Sequence, residues 1–208
     1  MSSRVLILAF DGVEALDFAG PFEVFTTASR VSQRMQPGTA APFDVASVAS
    51  VARGQAVQAR AGLQLLATHT LADSPQADLL IVPGGVVDAP LASPDTLRWI
   101  AHQAAGAQIV ASVCTGAFLL AASGVVRSDA VTTHWEDIAE LRERFPALDV
   151  RGDVRWVDNG RIVTSAGISA GIDMSLHLVE RLGSHALAER TARQMDYPWN
   201  RNPSHPSA

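Results

Sequence analysis

The sequence predicts one α/β domain with a mostly parallel central sheet. Three observations carry that expectation. Residues 5–10, 78–82 and 109–113 are continuous apolar runs, as strands buried on both faces are. Segments of helical period lie between and after them, and strands alternating with helices build parallel sheets. The chain has 208 residues, 48% hydrophobic and 18% charged, which suffices for one core that needs neither disulfide nor metal.

The elements follow in order. The strand at 5–10 leads through a carboxylate-bearing loop to a helix over 21–33. Phe22, Phe25, Ala28 and Val31 share one face of that helix, and Pro21 stands near its first turn. A loop at 37–42 precedes an alternating strand at 43–51. Two short strands, 55–60 and 63–68, turn about Ala61-Gly62. The second buried strand, 78–82, ends at Pro83-Gly84-Gly85. A helix over 94–105 takes Ser93 as its N-cap. The third buried strand, 109–113, runs into a helix at 116–123 that closes near Gly124. An amphipathic helix at 136–145 stops at Pro146. Residues 155–157 and 161–164 flank Asp158-Asn159-Gly160, a hairpin signal. Helices at 169–182 and 184–195 are parted by Gly183. The domain is expected to span residues 1–197. The stretch 198–208, with Pro198, Pro203 and Pro206, reads as an extended or frayed tail.

Composition narrows the function. A single cysteine, Cys114, excludes a disulfide framework, a zinc finger and a Cys-ligated iron–sulfur site built from this chain alone, and it fits a reducing cytoplasm. All 16 basic residues are Arg, so chemistry that needs a lysine, in a Schiff base or a P-loop, is excluded. The formal charge is −5. Arg142, Arg144, Arg151 and Arg155 are interspersed with Glu140, Glu143, Asp149 and Asp153, which describes a solvated face rather than a nucleic-acid groove. The apolar segment at 5–10 is too short for a signal peptide. The uncharged run 109–126 is long enough to raise the membrane question. It is β-branched first and Ala/Leu-rich later, so it reads as a strand turning into a helix. No histidine pair has metal-ligand spacing with a carboxylate, so no metal and no cofactor are expected.

Ligands of such sheets bind at the carboxyl ends of strands, which points to the segments after Phe10, Val82 and Val113. Cys114 occupies the third place, between a buried strand and a helix opening at Gly116. This is the layout of a nucleophile elbow, although Ala111-Ser112-Val113-Cys114-Thr115-Gly116 lacks the serine-hydrolase pattern. A helix N-terminus offers free N–H groups and partial positive charge. It predicts a thiol more acidic than usual and an anion site at the Thr115 and Gly116 amides. A buried structural cysteine is the plainer alternative. Gly84-Gly85 would let backbone N–H groups approach a ligand, or simply make a tight turn. Asp11, Glu14 and Asp17 follow the first strand. One of them beside Cys114 would hold a raised pKa and act as a proton donor, and spacing does not choose among the three. His134 is either an acid–base group or a helix-cap neighbour.

Five segments together carry a resemblance. They are Leu16-Asp17-Phe18-Ala19-Gly20-Pro21, Val82-Pro83-Gly84-Gly85, Ser112-Val113-Cys114-Thr115-Gly116, Thr132-Thr133-His134-Trp135 and Ala170-Gly171-Ile172-Asp173. In order and spacing the chain resembles the ThiJ/PfpI superfamily, relatives of the class I glutamine amidotransferases, over residues 5–197. The resemblance implies a flavodoxin-like three-layer sandwich and a homodimer. Two branches are most similar: isocyanide hydratase, a lyase, and the amino-terminal sensor domain of AraC-type transcriptional regulators. The first implies Cys114 as nucleophile, Asp17 as its partner carboxylate and Thr115 as a supporting donor. Gly84, Gly85, Gly116 and His134 are expected around the substrate. A complete regulator would add two helix-turn-helix units, and the chain given runs to a proline-bearing stretch without them, so no nucleic-acid partner is expected. Peptidase-like members place a histidine directly after the cysteine, where Thr115 stands here. The expected function is a hydratase acting on a small electrophile, with a ligand-sensing domain and an oxidation-responsive cysteine protein as alternatives.

Overall fold

The three apolar runs form the centre of a seven-stranded sheet in the computed structural model, which describes residues 2–201. In chain order the strands are β1 (Ser3–Ala9), β2 (Phe43–Ala49), β3 (Val57–Gln58), β4 (Gln64–Leu65), β5 (His69–Thr70), β6 (Leu79–Val82), β7 (Ile109–Val113), β8 (Ala130–Val131), β9 (Asp149–Val150), β10 (Trp156–Asp158) and β11 (Ile162–Ser165). The main sheet runs β10-β11-β7-β6-β1-β2-β5, and every pair in it is parallel except β10 with β11. β6 and β7 are buried along their whole length, as their uninterrupted apolar sequences require.

The helices are α1 (Ala15–Met35), α2 (Asp88–Leu91), α3 (Pro94–Gly106), α4 (Gly116–Ala122), α5 (Ile138–Arg144), α6 (Ala170–Leu182) and α7 (His185–Gln194). The crossover from β1 to β2 through α1 runs one way across the sheet, and that from β6 to β7 through α3 runs the other. Right-handed crossovers of opposite direction put their helices on opposite faces. α1 packs with α6 and α7, while α3 packs with α2 and α4, which gives three layers. The seam between β1 and β6 is therefore the topological switch point, where the loops splay apart and ligands bind.

Several elements depart from expectation. α1 begins at Ala15, six residues earlier than predicted, and carries Pro21 inside it. Proline lacks the N–H that would meet the Asp17 carbonyl, but the added turns bury Asp17, Phe18 and Gly20, and Phe18 stacks on Phe22 at 6.1 Å. The helix expected at 136–145 is split. A 3₁₀ turn, Trp135–Asp137, precedes α5, and the His134 ring accepts the Glu136 N–H at 3.4 Å. Ser93 and Ser184 cap α3 and α7 through their side chains. β5, β8 and β9 went unforeseen, because two residues are too few to show a period.

The tail is not frayed where it is described. The Tyr197 hydroxyl donates to the Ser169 carbonyl (3.3 Å), the Trp199 indole to the Asp173 carbonyl (3.2 Å) and the Asn200 amide to Asp173 Oδ1 (2.8 Å). Pro203 and Pro206 lie outside the described residues. No helix among the described residues is long and apolar enough to cross a membrane.

Candidate active site

Cys114 directly follows β7 with φ +56°, a left-handed backbone that L side chains rarely adopt. Neighbouring elements hold it there. Its N–H donates to the Ser165 and Ala166 carbonyls (3.1 and 3.3 Å), and its own carbonyl accepts from Thr133 Oγ1 at 2.9 Å. Strain of this kind persists only when the surroundings over-determine it. The elbow expected from sequence is thus a built feature, with Cys114 7% exposed at its apex.

The loops after β1, β6 and β7 meet here. Glu14 N–H donates to the Gly84 carbonyl at 2.9 Å, and Val13 bridges Gly85. The Gly84 N–H donates to Asp17 Oδ2 at 3.2 Å. Thr115 Oγ1 accepts from the Gly85 amide (2.8 Å) and donates to the Gly85 carbonyl (2.9 Å). Two glycines permit this approach. A Cβ on Gly84 would stand 2.5 Å from the Thr115 nitrogen, and one on Gly116 would collide with the Val82 carbonyl oxygen.

The three candidate carboxylates separate cleanly. Asp11 accepts the Gln58 N–H at 2.8 Å, and Glu14 pairs with Arg60 at 3.5 Å. Asp17 alone is fully buried, in the first turn of α1, and it lies close enough to the Cys114 side chain for the two groups to shift each other's pKa. Its Oδ1 has no hydrogen-bond partner among the described residues. Burial pushes Asp17 up to about 7; the Gly84 amide opposes this and the Glu14 charge adds to it.

The expected acidic thiol is not what the fold gives. Burial first, then the Asp17 charge, pushes Cys114 up to about 12; the Thr115 amide opposes this, and Asp137 adds to it. α4 has only seven residues, and its positive end does not offset desolvation beside two carboxylates. The two groups titrate as one unit: two protons below about pH 7 and one above. The single proton then rests mainly on sulfur, and thiolate with carboxylic acid is the minor of its two arrangements.

Two other expectations change. The Gly85 amide, expected to face a ligand, is engaged by Thr115, and Gly84's by Asp17, so Thr115 acts as a brace between β6 and β7. Arg155 does not belong to a solvated face: it pairs with buried Asp173 at the start of α6. Arg142, Arg144 and Arg151 do lie there, on Val150, Glu140 and Asp149.

His134 packs against Gly167 and stands 3.4 Å from Asp137 and 3.6 Å from Glu136. With Trp135, Ile138, Val154 and Ile168 it lines a cavity of about 300 Å³. No hydrogen bond among the described residues joins it to Cys114. Ile168 was missed altogether. It has φ +48°, and its backbone amide is near enough to favour the Asp17 carboxylate. No sequence signal marks it, because isoleucine is among the residues least suited to that backbone. Among the described residues no group of three His, Cys, Asp or Glu side chains is placed to hold a metal.

Comparison with known proteins places this geometry. The isonitrile hydratase of Pseudomonas putida is 33% identical over 200 residues, which cover 95% of this chain and 79% of that protein. The transcriptional regulator GbdR of Pseudomonas aeruginosa is 30% identical over 149 residues, 72% of this chain but 40% of the regulator. A crystal structure of a ThiJ/PfpI family protein from Pseudomonas syringae superposes with TM-score 0.81 at 26% identity, covering 100% of this chain and 78% of that one. Residues 3–181 match the DJ-1/PfpI family, and the chain belongs to it.

Proposed function

We propose that this protein is a cysteine-dependent hydratase that converts a small isocyanide to its N-formamide. The observation that carries the reading is the buried Asp17–Cys114 pair, with an acid held at about 7 and no cation paired with it among the described residues. An isocyanide presents a terminal carbon that must gain a nucleophile and a proton, and it has no leaving group to expel. Thiolate beside carboxylic acid supplies both.

The Cys114 sulfur bonds to the isocyanide carbon, and the Asp17 proton passes to that same carbon, giving a thioimidate. Water then adds to the carbon with proton transfer to nitrogen. The C–S bond breaks, the hydroxyl proton leaves, the thiol–carboxylate pair is restored and the N-formamide departs. Thr115 holds the Cys114 turn against Gly85 while bonds to sulfur form and break.

The test is loss of a simple alkyl or aryl isocyanide with matching appearance of formamide. Cys114→Ala abolishes turnover. Turnover that survives this change rules the mechanism out.

A second reading, a ligand-sensing domain, is supported by the likeness to GbdR and to a crystallised AraC family regulator of Pseudomonas putida, 25% identical at TM-score 0.77. Absence of turnover together with saturable binding of a small ligand beside Cys114 would favour it. A homodimer is part of the proposal under either reading, and sedimentation showing only a 22.0 kDa species would count against it.

A further inference from the structure

We propose that the cleft between the C-terminal ends of α1 and α7 binds a small molecule that carries paired oxyanion groups, phosphate or carboxylate. The argument begins with how this chain uses arginine. Thirteen of its 16 arginines meet a carboxylate or a backbone carbonyl of the fold. The other three are Arg34, Arg190 and Arg193. Arg34 meets only the neutral Gln194 side chain, at 2.8 Å. Arg190 and Arg193 have no partner among the described residues.

All three line one cleft of about 640 Å³, a volume in the range of small-molecule sites. In a protein of net charge −5 with acidic groups to spare, chance does not readily gather its three spare guanidinium groups in one place. The helix dipole accounts for part of the pattern, since Arg34 and Arg193 stand in the last turns of α1 and α7. It does not account for Arg190, one turn earlier, or for the cleft between them.

Val31 and Met35 also line the cleft, and its one carboxylate is Asp196. Two apolar side chains among three guanidinium groups suit an organic body bearing two or more oxyanions, because each guanidinium offers paired N–H donors. The place is independent of the thiol chemistry. Along α1 it lies about 25 Å from Asp17, at the opposite end of the helix.

Isothermal titration at constant ionic strength tests this, with pyrophosphate and citrate as the two probes and chloride as the control. The wild-type chain is expected to show one saturable site for at least one probe. Pyrophosphate alone identifies a phosphoryl ligand, and citrate alone a carboxylate ligand. Arg190→Gln with Arg193→Gln should weaken binding about tenfold or more, the loss expected for charge-assisted hydrogen bonds. Both side chains are exposed, so the variant should fold, and its unfolding temperature verifies that. Asp196→Asn should act in the opposite direction and tighten binding. No saturable heat with either probe, equal binding in the arginine variant, or weaker binding in Asp196→Asn overturns the proposal.

Discussion

Asp17 and Asp173 stand in equivalent places and have opposite fates. Each lies in the first turn of a long helix, α1 or α6, each is 0% exposed, and burial raises the pKa of each. Around Asp173 the fold supplies what a buried charge needs. Arg155 pairs with it, and the Asn200 amide donates to it at 2.8 Å. Around Asp17 the backbone gives the Gly84 amide, the neighbouring side chain is a thiol, and no cation pairs with it among the described residues. Burial alone therefore does not separate a structural carboxylate from a chemical one. The means of neutralisation does. A carboxylate with its own arginine stays ionised and holds elements together, whereas one that can be relieved only by a proton is poised to give that proton away.

The comparison can be broken most decisively by activity. Asp17→Asn should lower isocyanide turnover about 100-fold or more, because the amide keeps the shape but cannot transfer the proton. Asn200→Pro, which disturbs Asp173, should leave turnover per folded molecule unchanged. Equal losses in a steady-state assay would erase the distinction.

Stability should separate the sites next. Arg155→Ala leaves Asp173 buried without its cation, which costs about 3 kcal/mol or more near pH 8. The cost should shrink at pH 5, where Asp173, its pKa already raised by burial, more readily takes a proton. Denaturant titrations at the two pH values measure both. Asp17→Asn should change stability with the other sign. The wild-type carboxyl, at about 7 when folded and near 4 when unfolded, favours the folded state fully below pH 4 and loses that contribution as pH rises through 7. Above pH 7 the loss is of order 4 kcal/mol, so the variant should be more stable than wild type at pH 8 and about equal at pH 4. A variant weakened at pH 8 would mean that Asp17 is satisfied as an ion.

The pH profile sharpens the same point. Turnover should rise as pH passes about 7, where the Asp17–Cys114 pair drops from two protons to one. A flat profile from pH 5 to 9 would show that the two groups do not share a proton. The smallest effect belongs to the strap over Asp173. Asn200→Pro removes the amide hydrogen bond to the Asp173 carboxylate and should cost about 2 kcal/mol, read as a fall of several degrees in Tm.

Much of this was legible before any coordinates. Residues 109–113 form a strand with the predicted bounds, because a strand buried on both faces carries an uninterrupted apolar run. Ser93 caps α3 as predicted, through a local hydrogen bond that needs no distant partner. The start of α1 was hidden, since Pro21 is a strong local signal and the packing that overrides it is not local. The pinned tail was hidden for the same reason: Tyr197, Trp199 and Asn200 find their partners on α6.

The sequence by itself determined the α/β class, the three strand ends at which a site would form and the one thiol available to it. These follow from periodicity and composition, which act over a few residues. Spacing left Asp11, Glu14 and Asp17 open and the resemblance pointed to Asp17; only the tertiary structure buried Asp17 beside Cys114, held the thiol up rather than acidifying it, and engaged the Gly84 and Gly85 amides. Each of these is a matter of desolvation and of hydrogen bonds between loops 30 or 67 residues apart in the chain. Such contacts exist only once β1, β6 and β7 lie side by side.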